Sequence, residues 1–362
     1  MNIFRPLCDK VILVTGNITQ KIHPSQNVYI RCVSYNPRNT LFLLKVIKYI
    51  IAQIKLSYKL FVIPKEDIDF IFFFLGPNLL LPMIAAKIKR RQTVIIATGS
   101  TLDTIKRIPG VNRALAPRIS GILERLTFSL TDYFAVQSPS VVNFLDLRKF
   151  NKKVVIAGEL PVDTEFFKIS EQLEDRKNLV GYIGRLAPGK GIENFIKAVP
   201  LILDKQEEIE FVIGGDGPLF GKIKEEVKER GLYNKVELVG WIPTKEQLSL
   251  LLNRLKLLVL PSCSEGVPTI ILEAMACGTP VLLTPVGGVP DVIKDRETGY
   301  ILENNSPESI VAGVIRALNC PRFGVIAKNA HDLIQKEYIY EVVVDRHRKI
   351  LNDLCQGLNK NG

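Results

Sequence analysis

The stretch Leu257–Asp291, LLVLPSCSEGVPTIILEAMACGTPVLLTPVGGVPD, decides how the chain is read. Leu257–Leu260 is a short, wholly apolar run, the pattern of a strand buried on both faces. A loop holding Glu265 follows, and a helix is predicted to begin at about Pro268, because proline favours the first turn. Pro280–Leu283 predicts the next strand, so the stretch is one parallel strand–helix–strand unit. Glu273 lies inside the helix, eight positions after Glu265. Its neighbours are Ile270, Ile271, Leu272, Ala274, Met275 and Ala276. A carboxylate among such residues calls for a hydroxyl or cationic partner unless it faces solvent. The N–H groups near Gly266, Val267 and Thr269 stand at a helix start, where an anion is favoured.

Upstream, GYIGRLAPGKG (Gly181–Gly191) ends a strand at Ile183 and turns through Gly184, Arg185 and Lys190 into a helix near Gly191. Ligands of open α/β sheets bind beyond the carboxyl ends of strands, and two cations there neutralise a diphosphate. The loop is neither a Walker loop nor G-x-G-x-x-G; a solvated loop would use the same letters. FVIGGDGP (Phe211–Pro218) repeats the strand-to-glycine pattern with Gly215 and Gly217, where backbone can approach a ligand closely.

The same alternation runs through the whole chain. Strands are predicted at Val11–Thr15, Val28–Tyr35, Phe70–Leu75, Thr93–Thr98, Tyr133–Val136 and Lys153–Ile156, with helices at Leu41–Leu60, Leu79–Lys89, Pro117–Leu130 and Ser140–Lys149. The second half adds strands Leu179–Ile183, Glu210–Ile213, Val236–Leu238, Leu257–Leu260 and Pro280–Leu283. The predicted fold class is α/β, with two Rossmann-like domains whose parallel sheets face a cleft. Their expected extents are residues 1–160 and 178–336, joined by a polar linker over residues 161–177 and followed by a C-terminal helical segment, residues 337–362.

A length of 362 residues suits two such domains, and 47% hydrophobic with 23% charged residues excludes a disordered chain. Six cysteines without a C-x-x-C pair, and three histidines, exclude a zinc constellation. The start, MNIFRPLCDKVILVTGN, has no apolar core of a signal peptide, so a cytoplasmic location is expected. Charge is uneven. Residues 1–160 hold 23 Lys and Arg against 9 Asp and Glu, whereas residues 161–362 hold 25 against 28. That asymmetry points to an anionic partner of the first half. Its basic clusters are Lys45, Lys48, Lys55 and Lys59, then Lys87, Lys89, Arg90 and Arg91, then Lys106, Arg107, Arg113 and Arg118. They are interleaved with aliphatic and not stacking aromatic residues, which argues against nucleic acid and for peripheral contact with an anionic membrane face. The uncharged run Phe70–Ala86 contains Gly76, Pro77 and Pro82, and reads as strand, turn and helix rather than a membrane span.

Together, the E-x(7)-E pair Glu265 and Glu273, GRLAPGKG before it, and EAMACGTPV and GGVPD after it resemble the retaining GT-B glycosyltransferases of family 4, among the group 1 glycosyl transferases. The resemblance is dense from about Pro161 to Leu318. It implies a hexosyltransferase-type enzyme that needs no metal or other cofactor and uses a nucleotide-sugar donor such as a UDP- or GDP-sugar. The acceptor it implies is a small molecule, a glycan or a lipid-linked precursor, as in cell-envelope glycan synthesis. By that resemblance Arg185 and Lys190 bind the donor diphosphate and stabilise its departure. Glu265 meets donor-sugar hydroxyls, with Gly266, Val267, Pro268 and Thr269 beside it, and Glu273 accepts from the ribose. Gly184, Gly215 and Gly217 belong to the donor-side turns, Gly240, Trp241 and Ile242 line the base, and the helix Glu337–Leu354 returns to the first domain.

Two features depart from the family pattern. Val11–Thr15 is followed by Asn17–Ser25 and another strand, as though the opening strand–loop–helix unit were missing. Thr98-Gly99 stands where many relatives have a histidine. A catalytically weak donor-binding scaffold is therefore the alternative. Asp67-Ile68-Asp69 precedes its strand and reads as a loop, not a metal-binding D-x-D. An epimerase or phosphorylase finds no pyridoxal-phosphate lysine motif, and a dehydrogenase finds no G-x-G-x-x-G.

Overall fold

Short apolar runs alternating with amphipathic stretches produce two parallel sheets and a separate strand pair. The computed structural model describes residues 6–15, 28–33, 42–64, 68–74, 79–97 and 115–360. β1 (Val11–Thr15) lies parallel to β2 (Val28–Cys32). There follow α1 (Phe42–Val62), β3 (Phe70–Phe74), α2 (Leu80–Ile88), β4 (Gln92–Ala97), α3 (Leu115–Leu130), β5 (Tyr133–Val136), α4 (Pro139–Phe144) and β6 (Val154–Ile156). Strands β3 to β6 form a parallel sheet in chain order. Helix α2 packs on β4 and against α3, with α1 against α2. The run Phe70–Ala86 is thus split between β3 and α2. No single helix among the described residues is long and apolar enough to cross a membrane.

The second sheet comes from β7 (Leu179–Ile183), α5 (Ile192–Leu203), β8 (Glu210–Gly214), α6 (Phe220–Glu229), β9 (Val236–Gly240), α7 (Lys245–Arg254), β10 (Leu257–Leu260), α8 (Thr269–Ala276), β11 (Val281–Leu283), α9 (Val289–Val292) and β12 (Tyr300–Ile301). Helices α10 (Pro307–Leu318), α11 (Phe323–Glu337) and α12 (Tyr340–Lys360) close the chain. The strand order is β12-β11-β10-β7-β8-β9, all parallel. Strands are thus added outward from β7 on one side and from β10 on the other, and the crevice beyond the carboxyl ends of these two is the topological switch point. Strand β7 is buried along its whole length, as its apolar sequence requires.

Several expectations need correction. The helix predicted over Ser140–Lys149 stops at Phe144, and a 3₁₀ turn follows at Arg148–Lys153. Asp146 takes φ 53° there, a left-handed conformation that aspartate tolerates and a helix does not. The expected linker, residues 161–177, is no bare tether. Val162, Phe167 and Leu173 are buried in the second core, and the Arg176 guanidinium donates to the Leu255 and Cys277 carbonyls. The predicted C-terminal helix is divided: Glu337 ends α11, and α12 starts after Tyr338. In α12, Val343 and Val344 pack with Leu7. The Arg346 guanidinium also lies against Gly158. Asn17–Ser25, Gly76–Asn78, Thr98-Gly99 and Asp67 lie outside the described residues.

Candidate active site

Three strand-end loops meet at the switch point. The first, Gly184–Lys190, leaves β7 and is pinned by Gly184 N–H to the Gly214 carbonyl (3.0 Å) and Leu186 N–H to the Asp216 carbonyl (3.0 Å). Gly215, at φ +121°, passes so close beneath it that a Cβ would stand 1.9 Å from the Gly184 carbonyl oxygen. Gly217 is crowded in the same way by Leu186. Tyr182, buried under the loop, has its hydroxyl 3.3 Å from the Arg185 carbonyl and 3.2 Å from that of Lys190. Burial first, then the Glu265 carboxylate, push its phenol upward, so it stays a neutral donor that braces the turn.

The Glu265 loop after β10 meets the first loop through an ion pair. Lys190 Nζ lies 2.7 Å from Glu265 Oε1, with both side chains partly buried. Gly287 holds the Glu265 loop from behind, and a Cβ there would fall 1.8 Å from the Glu265 carbonyl oxygen. Gly288 N–H also donates to the Gly266 carbonyl (2.8 Å). Arg185 is exposed at the rim, and no carboxylate among the described residues pairs with it. The site thus holds a paired cation and an open one beside a helix start. Pro268 is the residue before α8 and not its first turn, with extended φ −66°, ψ 124°. Thr269 is therefore the first helical residue.

Glu273, in the second turn of α8, faces a separate hollow. Together with Thr269, Leu272, Lys245, Phe167 and the segment Leu160–Asp163, it encloses a cavity of ≈ 190 Å³. Burial pushes its carboxyl up to about 7, with Lys245 pulling the other way. The expected cationic partner is only nearby: Lys245 spends its ion pair on Asp163 (2.6 Å) and lies over the Phe166 ring. Of the predicted base-lining residues, Ile242 packs towards Gly214 and the Gly240 carbonyl accepts from Gly215 N–H, whereas Trp241 is 72% exposed.

The first half of the chain enters from above. Gln137 accepts at Oε1 from the Val267 N–H (3.2 Å), so one expected anion-facing amide is already engaged. The same side chain donates from Nε2 to Glu159 Oε2 (2.7 Å). Glu159 is only 2% exposed, and burial pushes its carboxyl up to about 8 despite the Gln137 bond. Nearby, Asp291 receives the Ser140 N–H (2.7 Å) and hydroxyl (2.8 Å). Burial raises its carboxyl, but the Ser138 hydroxyl, the Ser140 bonds and Lys294 outweigh that and hold it below the usual range. Sequence reading missed Tyr182, Gln137 and Ser140, the partner of Asp291. Tyr182 has a local signal, a polar aromatic two residues before a glycine turn; the others join positions far apart in sequence.

Comparison with known proteins adds the following. Residues 163–339 match the family described as Glycosyl transferases group 1. The phosphatidylinositol N-acetylglucosaminyltransferase GPI3 subunit of Saccharomyces cerevisiae (strain YJM789) is 26% identical over 240 residues, 63% of this chain and 53% of that protein. The chain thus spans about half the length of this curated relative. The N-acetyl-alpha-D-glucosaminyl L-malate synthase of Bacillus anthracis is 23% identical over 94% of this chain and 87% of its own. Among solved structures, Anabaena HepE in complex with UDP superposes with TM-score 0.70 at 16% identity, over 95% of this chain and 100% of that one. Sucrose-phosphate synthase of Thermosynechococcus elongatus gives 0.74 at 20% identity, over 96% and 89%. These likenesses show the two-sheet GT-B fold.

Proposed function

Because residues 163–339 belong to the group 1 glycosyl transferases and the chain has the GT-B fold, we propose that it is a retaining transferase. In this reading it moves a sugar from a nucleoside-diphosphate donor to a glycan, lipid-linked or small-molecule acceptor and works without a metal ion. The observation that carries the reading is the Lys190–Glu265 pair at the switch point, 2.7 Å apart between two interlocked strand-end loops.

In the donor-free protein Lys190 is neutralised by Glu265. An arriving diphosphate takes over the ammonium and draws Arg185 inward, which frees the Glu265 carboxylate to accept from sugar hydroxyls. As the sugar–phosphate bond breaks, negative charge grows on the departing oxygen, and the two cations are aimed at that charge. They supply the stabilisation that a divalent ion gives elsewhere. Attack from the face of the departing diphosphate then keeps the anomeric configuration. Glu273 holds the ribose hydroxyls in the hollow beside Thr269, and Ile242 borders the base.

The related HepE structure holds UDP, and the GPI3 relative is named an N-acetylglucosaminyltransferase; neither fixes the donor here, so it is tested directly. Proton NMR of sugar released from UDP- and GDP-sugars in excess chelator should show the donor's anomer first. Initial appearance of the opposite anomer, or turnover only with added Mg²⁺ or Mn²⁺, would overturn it.

A further inference from the structure

Helix α1 is built inside out. Its inward face carries Ala52, Gln53 and Leu60, and the buried Gln53 side chain accepts from the Leu81 N–H (3.1 Å). Its outward face is the apolar one. Ile47, Ile51, Ile54, Tyr58 and Phe61 recur at alternating steps of four and three, one stripe along the helix, and all are exposed. Tyr58 is 67% exposed and Ile54 54%. Helix α2 repeats the device with exposed Leu81, Ile84 and Ile88, and α3 with exposed Ile119, Ile122 and Leu126. Since α1 packs on α2 and α2 on α3, the three stripes lie on adjacent helices over one face of the first sheet. Single exposed apolar residues need no explanation, but a face of this extent does.

The charges of the same helices say what covers it. They carry seven Lys and Arg and one acidic residue, Glu124. Exposed Lys55, Arg118 and Arg125 lie among the apolar stripes. A protein partner would be met by an apolar core depleted of charge, whereas apolar stripes edged by cations fit lipid tails and anionic headgroups together. We propose that the outer face of α1, α2 and α3 docks on an anionic lipid bilayer, lying in its interface without crossing it. Two cations of the cluster at the end of α2 take no part. Lys87 is held by both Asp132 carboxylate oxygens (2.8 Å) and Lys89 by the Ile63 carbonyl, so these cations fasten the fold. Lys106, Arg107 and Arg113 lie outside the described residues. This inference does not depend on the transfer reading.

The test is flotation of the full chain with phosphatidylcholine vesicles, with and without phosphatidylglycerol. Wild type should float with the anionic vesicles and lose most binding when salt rises from about 0.05 to 0.5 M. The double variant Ile54→Asp/Tyr58→Asp should lose at least about ten-fold, and Lys55→Glu several-fold. Circular dichroism and UDP titration of each variant separate loss of docking from loss of fold or donor site. Wild type that floats with neither composition, or an Ile54→Asp/Tyr58→Asp protein that is folded and binds as wild type does, would overturn the proposal. So would a dimer that the same double variant converts to a monomer without any vesicle binding.

Discussion

Glu265 and Glu273 are identical in chemistry and differ in what they touch, so conservative replacement should separate them. Glu265→Gln removes the charge that neutralises Lys190 and leaves the ammonium open to phosphate. Transfer should fall by at least about a hundred-fold while UDP or GDP affinity is kept or improved. Glu273→Gln should instead weaken the nucleotide itself roughly ten- to hundred-fold, the range for a lost charged hydrogen bond. Its carboxyl sits at about 7, and the ionised form is the better acceptor for ribose hydroxyls. Wild-type affinity should therefore rise as pH increases through about 7, and the Glu273→Gln profile should be flatter. Titration calorimetry across pH 5.5–8.5 (about 1.5 pH units either side of 7) measures both. Equal loss of nucleotide binding in the two variants would contradict the separate roles.

At the scale of elements, the site depends on loops that cross without side chains between them. Gly215→Ala places a methyl group 1.9 Å from the Gly184 carbonyl oxygen at φ +121°. It should destabilise the protein by on the order of 1–3 kcal/mol, and the Arg185–Lys190 loop should lose its hold on diphosphate. Thermal unfolding with and without UDP gives both effects. The elements themselves were largely legible: Val11–Thr15, Tyr133–Val136, Leu179–Ile183 and Leu257–Leu260 are apolar runs with residue-perfect limits in the structure. Burial on both faces, as in β7 and β10, makes a run continuous in sequence, which is why it can be read. The helix over Ser140–Lys149 failed because one left-handed Asp146 ends it, and nothing in the apolar spacing marks that residue. β12, two residues long, is too short to carry a period. Glu265 and Lys190 were legible as types at strand ends. Their pairing across 75 positions, and that of Gln137 with Val267 across 130, comes from strand order and has no local signal.

One of the contacts between the two halves centres on a buried carboxyl. Gln137 of the first half bonds both Glu159 and the Val267 amide of the second, with Tyr338 of the C-terminal segment near the same carboxyl and Arg346 against the neighbouring Gly158. The native protein keeps a proton on Glu159 up to about pH 8, whereas the unfolded chain releases it near 4.5. The native state therefore binds the extra proton in that window, so stability contributed here is full below about 4.5 and is lost as pH rises towards 8. Glu159→Gln keeps the hydrogen-bonding shape without the proton, and its melting temperature should fall less between pH 5 and 8.5 than that of wild type; parallel curves would remove Glu159 from the account. The central claim, that the crevice between β7 and β10 holds a nucleoside diphosphate by cations alone, is tested most directly by calorimetric titration of UDP and GDP in excess chelator. Wild type should bind one of them, and Lys190→Ala should bind it roughly ten- to hundred-fold more weakly. Binding by Lys190→Ala equal to wild type, or binding by wild type that needs added Mg²⁺, would contradict it.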